Sequence, residues 1–134
     1  MAGLLAGRLL TGHDGHRERL LKAIDETELW QRAVLDLLYF HALDNEADSR
    51  KVEDYLATRP WPQAHADLLG PDRDAMMALS VRLMNVTGRT EARASWTEAQ
   101  QLVGRRMTLQ RKRVQAGQEP EQPTNPDPAG PFGA

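Results

Sequence analysis

The chain has 134 residues, 40% hydrophobic and 27% charged, with a net charge of −2, which is the balance of one ordinary globular domain. It contains no cysteine, so a disulfide framework, a thiolate metal site and a cysteine nucleophile are all excluded. A sequence pI near 6.1 argues against a dedicated duplex binder, whose domain pI usually exceeds about 9.

Residues 1–13 open the chain with an apolar stretch, Met1 to Leu10, interrupted by Arg8. A secretory signal would place its cation before the apolar run, and no run reaches the roughly 18 apolar residues of a membrane span. The stretch is expected to be an apolar N-terminal arm, or a short helix docked on the body. The body is expected to occupy residues 14–117. His13-Asp14-Gly15-His16 predicts a turn, after which Leu20, Leu21, Ile24, Trp30, Val34, Leu37, Leu38 and His41 keep a helical period to about Leu43. Thr27 allows a restart, so this is one long helix or two. Asp44-Asn45 is a stop.

Ser49 or Asp48 is the expected cap of a short helix carrying Val52, Tyr55 and Leu56. Arg59-Pro60-Trp61-Pro62 breaks it, because proline lacks a donor and disfavours helix in the residue before it. Pro62 then opens a further turn or two through Ala64, Leu68 and Leu69, closed by Gly70-Pro71. Asp72 is placed to cap a helix with Met76, Leu79, Val81, Leu83, Met84 and Val86, ending at Gly88. Ser95-Trp96-Thr97-Glu98 has the pattern of a capping box and predicts the start of a last helix that runs to Gly117. Residues 118–134 are rich in Pro, Gly, Gln and Asn and predict a flexible tail. No stretch alternates like a strand. The expected fold class is all-α, a small irregular bundle of four or five helices with a disordered Pro-rich C-terminal tail.

Charge is distributed unevenly along this layout. Residues 1–78 hold fourteen acids and nine bases, residues 79–117 two acids and eight bases, and the tail three acids. On a helical projection of the last helix, Trp96, Val103, Met107 and Val114 form one stripe, with Ala99 and Gln110 beside it. Arg105, Arg106, Lys112 and Arg113 are assigned to the opposite side, interspersed with Leu102 and Leu109. Two apolar stripes on one helix exceed what a single neighbour covers. These six residues are therefore the candidate partner-binding set, for another protein or a second copy of the chain. Nucleic acid is the alternative partner, with the same cations neutralising phosphates, or with Gln100, Gln101, Arg105 and Arg106 as readers of a helix-turn-helix. The plainer reading is that the leucines pack on the chain's own acidic helices.

Other chemistry is thin. His13 and His16 have helix-turn spacing for a metal but imply no third ligand. Asp44-Asn45-Glu46-Ala47-Asp48 starts like a calcium loop and then fails, with Ser49 at the glycine position and Tyr55 at that of the bidentate Glu. No Gly-x-Ser-x-Gly elbow or phosphate loop is present, and His41, on the apolar side of the first helix, reads as a hydrogen-bonded core histidine, so no catalytic set and no cofactor are expected. In the tail, Pro120, Pro123 and Pro126 line one edge of a polyproline II helix, with Pro128, Pro131 and Phe132 beyond, as an anchor for a groove or as a spacer. The sequence thus points to a small cytoplasmic, non-catalytic adaptor or assembly protein with no membrane partner. A helical body with an extended arm is also a layout suited to a phage or secretion-type structural component.

Overall fold

The computed structural model describes residues 2–59 and 66–124. The expectations placed on Pro60, Trp61, Pro62 and Ala64, on the His13 side chain, and on Pro126, Pro128, Pro131 and Phe132 lie outside the described residues. The chain is all-α: helices α1 (Ala2–Ala42), α2 (Glu46–Ala57), α3 (Arg73–Asn85) and α4 (Arg89–Gln115), with a 3-10 turn at Gly70–Asp72 leading into α3. No strand occurs among the described residues.

Helix α1 runs unbroken through both positions where the sequence suggested an interruption, so no turn occurs at His13-Asp14-Gly15-His16. Thr27 does not cap a new helix because its hydroxyl donates to Ala23 O at 2.7 Å within the same one, and the residue is buried. The expected stop at Asp44-Asn45 is present. Asp44 turns the chain with φ 55°, a left-handed conformation that Asp tolerates better than most residues. Asn45, rather than Ser49 or Asp48, caps α2, its Oδ1 accepting from Asp48 N at 3.2 Å. Ser49 is instead buried against the body.

The start of α4 also moves. The helix begins at Arg89, with Gly88 before it, six residues ahead of the Ser95 capping pattern. Ser95 is buried in the helix interior, and Glu98 reaches across to Arg82 at 3.2 Å instead of back to its own helix terminus. Gly88 accordingly leads into α4 rather than ending α3, which stops at Asn85. A capping box is a local preference, and here burial of Ala92 and Ser95 against the bundle outweighs it.

Helices α1, α3 and α4 enclose the core, in which Ile24, Leu35, Met76, Leu79, Ala99, Val103 and Met107 are buried. Helix α2 folds back along α1. Leu68, Leu69 and Val114 close the end of the core beneath the 3-10 turn.

Candidate functional site

Helices α1 and α4 run antiparallel and are joined by a polar ladder as well as by the core. Asp36 accepts from Trp96 Nε1 at 2.9 Å and from Gln100 Nε2 at 3.0 Å. One turn earlier on α1, Arg32 donates to Gln100 Oε1 at 2.7 Å and to Glu28 at 3.0 Å. A further turn along, Arg111 bonds both Glu28 and Asp25. Burial pushes the Glu28 carboxyl up, but the hydrogen bonds from Arg111 and Arg32 outweigh it and hold the group below its ordinary value. Gly104 makes room for this crossing: a Cβ there would lie 2.9 Å from an Arg32 guanidinium nitrogen.

The five cations between residues 105 and 113 therefore do not form one surface. Arg106 is buried, its Nε donating to Asp72 Oδ2 at 2.8 Å and a terminal nitrogen to Glu121 Oε1 at 3.2 Å. Burial alone would lower its pKa, and the two carboxylates more than reverse that. Asp72, expected to cap α3, makes no cap bond and serves Arg106 instead. Arg113 is half-buried and donates to Glu119 O at 3.0 Å. Arg111 is held by α1. Only Arg105 and Lys112, seven residues apart on the outer crest of α4, are exposed with no ion pair or hydrogen bond among the described residues. The projection that put Arg106 and Arg113 opposite the buried stripe is corrected. At 100° per residue, both lie beside Gln110 and Ala99, flanking that stripe.

The two leucines also part company. Leu102 is half-buried against the core, in a shallow groove between α3 and α4 with Ala78, Arg82 and Arg105. Leu109, seven residues on and on the same side of α4, remains 47% exposed and lines, with Arg105, the mouth of a groove between α4 and α1 that also holds Arg32, Gly104 and Thr108. Past Arg32 that groove meets a second one, between α1 and α2, lined by Leu29, Ala33, Val52 and Tyr55, where Leu29 is 58% exposed. A ribbon of surface thus runs from Leu109 past Arg105 and over Arg32 to Leu29, with Lys112 one heptad from Arg105 on the same crest of α4. Leu29 and Arg32 escaped the sequence reading because α1 was read only for its buried period.

A second apolar stripe was also missed. On α3, Met77, Val81 and Met84 are all about half or more exposed, while Met76, Leu79 and Leu83 on the opposite side are buried. The signal was present in the sequence: so many apolar residues in three turns cannot share one face.

In the tail, Pro120 is buried and Pro123 half-buried. Gln110, fully buried, donates through Nε2 to Leu68 O and to Glu121 O, each at 2.9 Å, and accepts from Glu121 N at 2.8 Å. Residues 119–121, at the start of the segment expected to be flexible, are therefore held against the body. Among the described residues no group of three His, Asp or Glu is placed to hold a metal ion, and no helix is long and apolar enough to cross a membrane. No protein-family model, curated protein or solved structure matches the chain.

Proposed function

We propose that this chain is a small, non-catalytic helical adaptor or assembly protein that holds a protein partner on the outward side of α4. The observation that carries the reading is the exposure of Leu109 and Leu29 on either side of Arg32, with Arg105 and Lys112 exposed on the crest of α4 and unpaired among the described residues. Apolar anchors give affinity when a partner excludes water from them, and rim cations choose partners and speed encounter. The ligand that fits is an amphipathic helix with acidic residues beside its apolar stripe. The separate stripe of Met77, Val81 and Met84 favours an assembly component over a one-partner binder, since methionine side chains adapt to varied surfaces.

The nucleic-acid reading loses its main support. Arg106 and Arg113, two of the four cations on which it rested, are committed to the chain's own carboxylates and to a carbonyl, and Arg111 pairs with α1, which leaves Arg105 and Lys112 without a partner among the described residues. A cytoplasmic location is part of the proposal, and the absence of cysteine is compatible with it.

The test is a comparison of proteins retained from the native host by the full chain and by Leu109→Glu, eluted at low and high salt. The reading requires a protein that is held by the parent, lost by the variant and little released by salt. An identical set on both baits, or a steeply salt-dependent nucleic acid, would overturn it.

A further inference from the structure

The seat of residues 119–121 has the chemistry of a peptide-recognition site. Gln110 reads a peptide backbone from both sides, giving a hydrogen to Glu121 O and taking one from Glu121 N, and its remaining donor is fixed by Leu68 O. Both amide hydrogens and the oxygen are engaged, and the bond to Leu68 O, the one that comes from the body, holds the amide in position for the other two. Arg106, oriented by Asp72, reads the carboxylate of the same residue, and the preceding Pro120 is buried. Gly70 completes the cradle. Its φ of +56° suits glycine, and a Cβ there would stand 2.9 Å from Glu121 O and 3.1 Å from Gln110 Nε2. Side-chain contacts to Glu119 are peripheral: His16 Nε2 lies 3.0 Å from its Oε1, and both side chains are exposed.

Every receptor atom here belongs to the body, and every ligand atom to a short extended segment joined to α4 through Gly117, which has φ +82°. The contacts read one backbone unit, one carboxylate and one proline, a specification that a segment from another molecule can meet equally well. We propose that Gly70, Asp72, Arg106 and Gln110 form a binding site for an extended peptide bearing proline followed by an acidic residue, occupied in the resting chain by its own Pro120-Glu121. The resident segment is tethered and so has a high effective concentration; an incoming peptide binds by displacing it. This site is distinct from the Leu109 groove, and its test does not depend on that reading.

The chain has no cysteine, so Gln122→Cys in the full chain takes a single spin label next to the seat. The label should be immobile in the resting protein. A free peptide, Gly-Gln-Glu-Pro-Glu-Gln-Pro-Thr, should convert it saturably to a mobile form. The same peptide with alanine for the second glutamate should be weaker by about tenfold, as befits loss of a charge-assisted contact. In a second arm, Glu121→Ala in the full chain, checked for folding by circular dichroism, should bind the dye-labelled peptide more tightly than the parent, because its own tail competes less. A label that is mobile from the start, a label that stays immobile at saturating peptide, or equal peptide affinity of parent and Glu121→Ala would each overturn the proposal.

Discussion

Arg105 and Arg106 are neighbours on the same helix and meet opposite fates. The first stands on the outer crest of α4 with no partner among the described residues; the second is buried between Asp72 and Glu121. A rotation of 100° separates them, enough to pass from solvent to the seam beneath the tail. The contrast shows that a basic helix is not a basic surface. Which guanidinium meets a partner is decided by whether an acid of the fold already stands beside it, a property of tertiary placement and not of composition.

Removing each arginine in turn should break this symmetry most visibly. Arg106→Met leaves two carboxylates facing a low-water seam without their cation. Breaking a buried pair commonly costs about 3–5 kcal/mol, and the partial exposure of Asp72 and Glu121 places this case nearer about 2–3 kcal/mol. Arg105→Met should stay within about 0.5 kcal/mol of the parent, as most surface substitutions do. Urea unfolding of the two variants checks both; equal losses would mean that the buried arginine is not the anchor described. Gly70→Ala should come next, at about 2 kcal/mol, because it combines the strain of a left-handed alanine with a clash against a backbone oxygen that cannot easily retreat. Its loss should be accompanied by faster proteolysis after residue 116, since residues 119–121 lose their seat.

Much of the fold was legible because its boundaries rest on local chemistry. Asp44-Asn45 stops α1, Gly70-Pro71 precedes α3 and Gly117 follows α4, each through a conformation or missing donor that the residue itself dictates. Ser95-Trp96-Thr97-Glu98 misled because the same four residues satisfy a capping pattern and a buried helical face, and only packing chooses between them. The candidate site was legible in part. Leu109, Arg105 and Lys112 do face outward, but their apolar counterpart Leu29 comes from a helix read for its core alone. The seat of the tail was out of reach, since its composition lacks apolar residues and its hold comes from Gln110, Arg106 and Gly70 on other segments.

The contrast extends to acids. Glu28 is the inward carboxylate of the α1–α4 ladder, and its folded-state pKa lies below the ordinary value near 4.5, because hydrogen bonds from Arg111 and Arg32 overcome the effect of burial. Below 4.5 the unfolded chain takes up the proton before the folded one does, so stability rises with pH across that window. The contribution is complete above 4.5 and is lost as pH falls through the depressed folded value. Glu28→Gln should flatten this part of the stability profile while leaving its slope above neutral pH unchanged. A variant whose acid limb matches the parent's would show that the ladder does not hold the charge.

The smallest effect is expected where two influences nearly cancel. Gly104 and Gly70 look alike on distance, since a Cβ at either would stand 2.9 Å from another atom. At Gly70 that atom is a backbone oxygen; at Gly104 it is the far tip of the Arg32 side chain, which can swing aside. Gly104→Ala also relieves a glycine in the middle of a 27-residue helix, worth about 1 kcal/mol in intrinsic preference. Against this stands weakening of the Arg32 bonds to Gln100 and Glu28, a partly exposed set worth about 0.2–1 kcal/mol. The net change should be no more than about 0.5 kcal/mol and stabilising, read by urea unfolding beside Gly70→Ala. A loss as large as that of Gly70→Ala would mean that Arg32 is pinned across α4 as firmly as the tail is pinned under Gln110. The groove between Leu109 and Leu29 would then be a rigid feature of the fold, not one that a partner can reshape.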